Sequence, residues 1–151
     1  MDDAVYNETI KTMSNNLMYS GTLDYPDCEA TLNNSLCGDQ VTIQLCLEDQ
    51  HIADFRYQVR GCMLCKASAS LLASRACGMT LCDIVKMRKS LVEAIRASSD
   101  EAVCQVCHEI FRPIRKHRSR HSCVLLPYDA AIQSLSSLVL RTDDHKPTDD
   151  L

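Results

Sequence analysis

The spacing of hydrophobic and polar positions changes period several times along the chain, and each change predicts a new element. Over residues 3–18, Val5, Ile10, Met13 and Leu17 recur at about helical spacing, which predicts an amphipathic first helix. Gly21 and Pro26 then break the chain. Beyond them the period drops to two. Val41, Ile43, Leu45 and Leu47 share one face, and Thr42, Gln44 and Cys46 the other. "EDQ" (48–50) reads as a turn, and 51–60 alternates again through Phe55, Tyr57 and Val59, so the pair is a hairpin with one buried face. Residues 62–77, rich in Ala, Ser and Leu, read as a helix stopped by Gly78. Thr80 and Asp83 have capping-box spacing and open a helix through about Met87 that Leu91 and Ile95 extend. Ser98 and Glu101 open another, which Pro113 ends. After the basic stretch "RPIRKHRSRH", Pro127 suits the first turn of a last helix carrying Ala131, Ile132, Leu135, Leu138 and Val139.

Helix, short sheet, then several helices is the order of an α+β fold: a small antiparallel β-sheet of about three strands packed against several helices. With 151 residues and no internal repeat, the chain reads as one domain over 1–140. The charged tail "RTDDHKPTDDL" (141–151) is expected to be disordered.

Charge and composition narrow the function. A net charge of −4 argues against nonspecific nucleic-acid binding, which needs a basic face to displace counterions. The acidic, polar start "MDDAVYNETI" does not resemble an export signal, and no apolar run approaches the ~18 residues of a membrane span. A cytoplasmic location is expected, and there cysteines persist as thiols, metal ligands or reactive groups.

Ten cysteines then become the informative residues. Cys37 sits in "NNSLCGDQ", where Gly38 lets the backbone turn so that a thiolate and the Asp39 carboxylate can face one ion; an ordinary loop with an unused thiol is the competing reading. Cys62 lies at the predicted start of a helix, where the dipole favours thiolate. Cys65, about a turn further, is near enough to share a metal or form a disulfide, or is a small core residue. "CQVCH" (104–108) matches the pattern of covalent haem attachment, but that chemistry accompanies export, and Cys104 and Cys107 read as core or surface thiols. Cys28, Cys46, Cys77 and Cys82 read as packing residues. Cys123 follows Arg118, Arg120 and His121, whose cations would favour its thiolate; a solvated basic loop is the plain alternative.

Three segments taken together resemble the NifU/IscU/SufU family of iron–sulfur cluster assembly proteins. "NNSLCGDQVTIQL" is similar to its Asn-x-x-Cys-Gly-Asp loop and strand. "RYQVRGCMLCKASASLL" is similar to its strand, Gly-Cys and Ala-Ser-rich helix, and "RHSCVLLPYDAAI" to its last cysteine segment. "VYNETIKTMSNNLMYSGTL" looks like its opening helix, so the resemblance runs from about Val5 to Leu140. It implies a SufE/NifU-like fold and assigns Cys37, Asp39, Cys62 and Cys123 to one metal or cluster site. Three thiolates suit zinc or iron, and a single carboxylate makes one position more exchangeable. The 61 residues from Cys62 to Cys123 and the absence of Leu-Pro-Pro-Val-Lys look more like the SufU type than the IscU type. The resemblance implies a non-enzymatic scaffold for a [2Fe–2S] or [4Fe–4S] cluster, or alternatively a Zn²⁺-dependent sulfur acceptor. In the second case Cys37, or else Cys123, takes persulfide sulfur from a cysteine desulfurase, with Arg120 and His121 toward that partner. Recipient apo iron–sulfur proteins are the expected clients, with no nucleic-acid or membrane partner. A thiol–disulfide oxidoreductase using Cys62 and Cys65 is a more distant alternative, since the chain lacks Trp and a βαβ order.

Overall fold

Two neighbouring strands show how the sequence sets the architecture. In the computed structural model, which describes residues 8–35, 38–96 and 111–145, Asp39–Glu48 (β2) and His51–Arg60 (β3) pair antiparallel in the expected hairpin. Asp49 and Gln50 close it with φ of 52° and 68°, the paired positive values of a tight turn whose twist matches the strands. Val41, Ile43 and Leu45 are buried opposite Val59, Tyr57 and Phe55. Thr42 and Gln44 point the other way, Thr42 toward Thr31 and Gln44 toward Glu29.

The third strand is Cys28–Asn34 (β1), which pairs antiparallel with β2 to give the order β1-β2-β3. Its sequence, "CEATLNN", has little apolar alternation, so its strand state is imposed by pairing with β2. Cys28 and Ala30 still turn inward.

Four helices are seen among the described residues. The first, Glu8–Asn15 (α1) among the described residues, ends earlier than its periodicity predicts. Ile10 is buried and Met13 packs on the core, but Leu17 and Met18 lie past the end and are 69% and 70% exposed. Asn16 ends the helix by using its side-chain oxygen to accept the Met18 N–H at 3.1 Å, the local competition that makes Asn a poor helix interior residue. Val5 lies outside the described residues.

Met63–Ala76 (α2) is buried on nearly every side through Leu64, Cys65, Ala67, Ala69, Leu72, Ala73 and Ala76. Small residues let it sit between α1, β3 and the last helix at close range. Ser68, fully buried, donates to the Val124 carbonyl at 2.5 Å. The capping box is as expected: the Thr80 N–H donates to Asp83 (3.0 Å) and the Asp83 N–H to the Thr80 hydroxyl (3.3 Å), opening Leu81–Arg96 (α3).

The last helix, His121–His145 (α4), departs from expectation at both ends. Pro127 sits inside it rather than in its first turn, and so removes the helical bond to the Cys123 carbonyl. The helix tolerates this because Cys123, Val124, Leu125, Leu126 and Tyr128 bury that stretch. The basic segment before it is built as two 3-10 turns, Arg112–Lys116 and Arg118–Arg120, anchored by buried Phe111 and Ile114. At its far end α4 runs through His145, into the segment expected to be disordered. The helix expected from Ser98 to Pro113 falls mainly on residues outside the described ones, and so do Cys104, Cys107 and residues 146–151.

The core lies between the inner face of the sheet and α2 and α4, and α3 packs on α4. Among the described residues no helix is long and apolar enough to cross a membrane.

Candidate metal centre

Three elements begin at the same end of the core, and each brings one donor. Asp39 is the first residue of β2 and only 1% exposed. It is reached through Gly38, whose φ of +71° and N–H bond to the Asn34 carbonyl (2.7 Å) turn the chain back into the sheet. Cys62 is the N-cap residue of α2, with extended φ and ψ of −75° and 163°. Cys123 is the third residue of α4 and fully buried. The ligand atoms of Asp39, Cys62 and Cys123 all lie within 4.8 Å of one another.

Asp39 holds this arrangement together. One carboxylate oxygen accepts the Cys62 backbone N–H at 2.9 Å, and the other accepts the Cys62 thiol at 3.4 Å. The carboxylate lies across Gly61, where a Cβ would come within 2.1 Å of Asp39 Oδ1. Gly61 is therefore required by close approach of the carboxylate. A second tie joins the neighbouring segments: Asn34 Nδ2 donates to Ser122 Oγ at 2.8 Å, fastening the end of β1 to the residue before Cys123. Neither link is visible in the sequence, because Asn34 and Ser122 are 88 positions apart and the carboxylate that Gly61 makes room for arrives from another strand.

The Cys62 thiol is held below its ordinary value of 9.0. Hydrogen bonding with Cys123 is the main cause. Burial opposes it, the Cys65 backbone N–H assists, and both the charge and the hydrogen bond of Asp39 push the other way. The site thus combines two thiols, one of them with its pKa lowered, and a carboxylate.

That donor set fits a soft ion. Donors about 2.3 Å from a tetrahedral zinc or iron lie roughly 3.8 Å apart, so the group needs only a modest contraction to close on one. Cys37, the expected further thiolate, lies outside the described residues, and its chain neighbour Gly38 leads directly into Asp39.

Other expected residues are placed differently. His121, expected toward a partner, is turned inward at 9% exposure, with its Nε2 2.9 Å from the Ile114 carbonyl. Arg120 is half-buried in the turn just before α4. Cys65 is fully buried below Cys62. Cys28 packs in the core as expected, but Cys46 lies half-buried on the outer face of the sheet, its thiol donating to the Tyr25 carbonyl at 3.4 Å, and Cys77 and Cys82 are exposed at the ends of α2 and α3.

Fold and site together define an α+β domain that gathers thiols and a carboxylate at the start of one strand and two helices. Residues 5–132 match the family described as the NifU-like N terminal domain, and the chain belongs to that family. Over 134 residues it is 24% identical to the iron-sulfur cluster assembly scaffold protein IscU of Thermotoga maritima, covering 89% of this chain and 94% of that protein. It is 22% identical over 129 residues to the zinc-dependent sulfurtransferase SufU of Bacillus subtilis, covering 85% and 87%. Among solved structures, the N-terminal NifU-like protein of Brucella abortus superposes with a TM-score of 0.79 at 28% identity, covering 90% of this chain and 95% of that one.

Proposed function

We propose that the chain is an iron–sulfur cluster assembly scaffold that builds a nascent [2Fe–2S] or [4Fe–4S] cluster on Cys37, Asp39, Cys62 and Cys123. The observation that carries this reading is the convergence of Asp39, Cys62 and Cys123 from three separate elements to within 4.8 Å. Thiolates bind iron strongly and tune a cluster, whereas one hard carboxylate among them is the more readily exchanged ligand. An exchangeable ligand suits a protein that passes its cargo to recipient apo proteins. The sulfur donor on this reading is a cysteine desulfurase, met at the end of the molecule where Arg120 precedes α4.

A second reading is a zinc-dependent sulfur acceptor. It is supported by the name of the Bacillus subtilis relative and by the 61-residue span from Cys62 to Cys123. In it Zn²⁺ occupies the same four residues, and Cys37, or else Cys123, takes persulfide sulfur once a ligand is displaced.

Anaerobic incubation with ferrous iron, L-cysteine and a cysteine desulfurase separates the two. The scaffold reading expects a visible chromophore with equal iron and acid-labile sulfide, lost in Cys62→Ala and Cys123→Ala. Zinc retained without sulfide, together with faster desulfurase turnover, supports the acceptor. Full metal binding by Cys37→Ala, Cys62→Ala and Cys123→Ala alike would overturn both.

A further inference from the structure

The cluster site leaves the C-x-x-C pair half used, because it includes Cys62 and not Cys65. Cys62 caps α2, and its carbonyl accepts the first helical bond from the Lys66 N–H at 3.1 Å. Cys65 is therefore the third helical residue, and its backbone N–H is hydrogen-bonded toward the Cys62 sulfur. Helix geometry sets Cα atoms three residues apart at about 5 Å, inside the roughly 4.4–6.8 Å that a disulfide spans. Cys62 is half-buried and reaches the site, while Cys65 is fully buried beneath it. The outer thiol is thus placed to meet an incoming group, and the inner one to attack only what the outer one holds.

We propose that Cys62 and Cys65 form a dithiol centre that reduces sulfane sulfur to sulfide beside the cluster ligands. The inference deepens the proposed function, on which it rests for the presence of a persulfide donor. In the first step the Cys62 thiolate attacks the outer sulfur of the persulfide. A bond from Cys62 to that sulfur forms, the donor's S–S bond breaks, and the donor leaves as a thiolate. In the second step Cys65 attacks the Cys62 sulfur, and its thiol proton passes to the departing sulfur. The bond to the transferred sulfur breaks, hydrosulfide leaves, and a Cys62–Cys65 disulfide remains. Two electrons pass from the two cysteine sulfurs to the sulfane sulfur, so no other reductant enters until an external dithiol regenerates the pair.

Cys123 is the competing resolver, since it hydrogen-bonds with Cys62. A Cys62–Cys123 disulfide would tie up two cluster ligands from different helices. A Cys62–Cys65 disulfide closes within one helical turn and leaves Asp39 and Cys123 beside the sulfide.

The test uses the full chain, reduced, metal-free and anaerobic, with one equivalent of a low-molecular-weight cysteine persulfide and no desulfurase. About one sulfide per chain is expected, with the protein lighter by two hydrogens and the disulfide mapping to Cys62–Cys65. Cys65→Ser, and Cys65→Ala as the variant suited to a buried site, should release at least about tenfold less sulfide and stay heavier by one sulfur. Cys77→Ser, at an exposed position, should behave as the parent. Equal sulfide from the Cys65 variants, or a disulfide mapping to Cys62–Cys123, overturns the proposal. Sulfide release by a chain that forms no cluster with desulfurase and iron would instead fail the scaffold reading alone. Clusters built with unchanged sulfide release on Cys65→Ser would fail this inference alone.

Discussion

At the residue scale the site is a balance of opposed effects on one sulfur. Hydrogen bonding with Cys123 outweighs burial and the Asp39 carboxylate, so Cys62 ionises below its ordinary 9.0. The sign follows from linkage: a folded value below the unfolded one gives stabilisation that is full above about 9 and lost as pH falls through the lowered value. Alkylation by iodoacetamide, which follows the thiolate, should therefore stay fast at pH values where an ordinary thiol has slowed. Cys123→Ala removes the main cause and should move the midpoint upward, whereas Asp39→Asn removes an opposing charge and should move it downward. Peptide mass spectrometry across a pH series reads both shifts, and an unmoved midpoint in Cys123→Ala would contradict the assignment. Part of this was legible in sequence. Cys62 at a helix start and Gly38 between Cys37 and Asp39 each suggest chemistry, and resemblance groups them. Their balance was not legible, because it depends on contacts between residues 23 and 61 positions apart.

Elements were legible where local pattern and tertiary packing agree. The β2–β3 hairpin alternates along most of its length, up to an irregularity at Cys46/Leu47, α2 is rich in small and apolar residues, and the Thr80–Asp83 box closes as its spacing requires. Elements were missed where one outweighed the other. The polar "CEATLNN" is a strand only because β2 pairs with it, and Pro127 is carried inside α4 because burial around it exceeds the loss of one hydrogen bond. The junction of β3 with α2 shows the same dependence at the site. Gly61 must lack a side chain because the Asp39 carboxylate, arriving from β2, occupies the Cβ position. Gly61→Ala should push Asp39 off the Cys62 N–H and separate the donors. On the proposed function, cluster or zinc content should fall at least about tenfold, as one lost charge-assisted bond of about 1.5–3 kcal/mol implies. Metal analysis beside a thermal melt checks it: loss of metal with a folded chain is the expected pattern, and full metal content would show that the carboxylate can move aside.

The whole molecule carries −4 net charge but distributes it unevenly. Asp24, Asp27, Glu29, Glu48, Asp49 and Asp54 lie along the sheet and its loops. Lys86, Arg88, Lys89 and Arg96 lie on α3, interrupted by Asp83 and Glu93. Arg115, Lys116, Arg118 and Arg120 lie on the two turns that lead to Cys123, the first of which packs against α3. Arg88 is committed to Asp129 at 2.5 Å, whereas Lys86, Lys89, Lys116 and Arg118 are exposed. A basic region next to the donors on an otherwise acidic chain orients the molecule in the field of a partner before contact, and such steering acts mainly on association rate. If a cysteine desulfurase is the partner, Lys116→Glu with Arg118→Glu should slow association several-fold at low salt. Dissociation should change less, and the difference should shrink as ionic strength shortens the Debye length from about 30 Å at 0.01 M to about 8 Å at 0.15 M. Neither position supplies a cluster donor, so metal binding by the isolated chain should be unchanged. Stopped-flow association across a salt series decides it. Equal rates at low salt would remove these turns from the approach, and a defect that persisted at high salt would make them direct contacts.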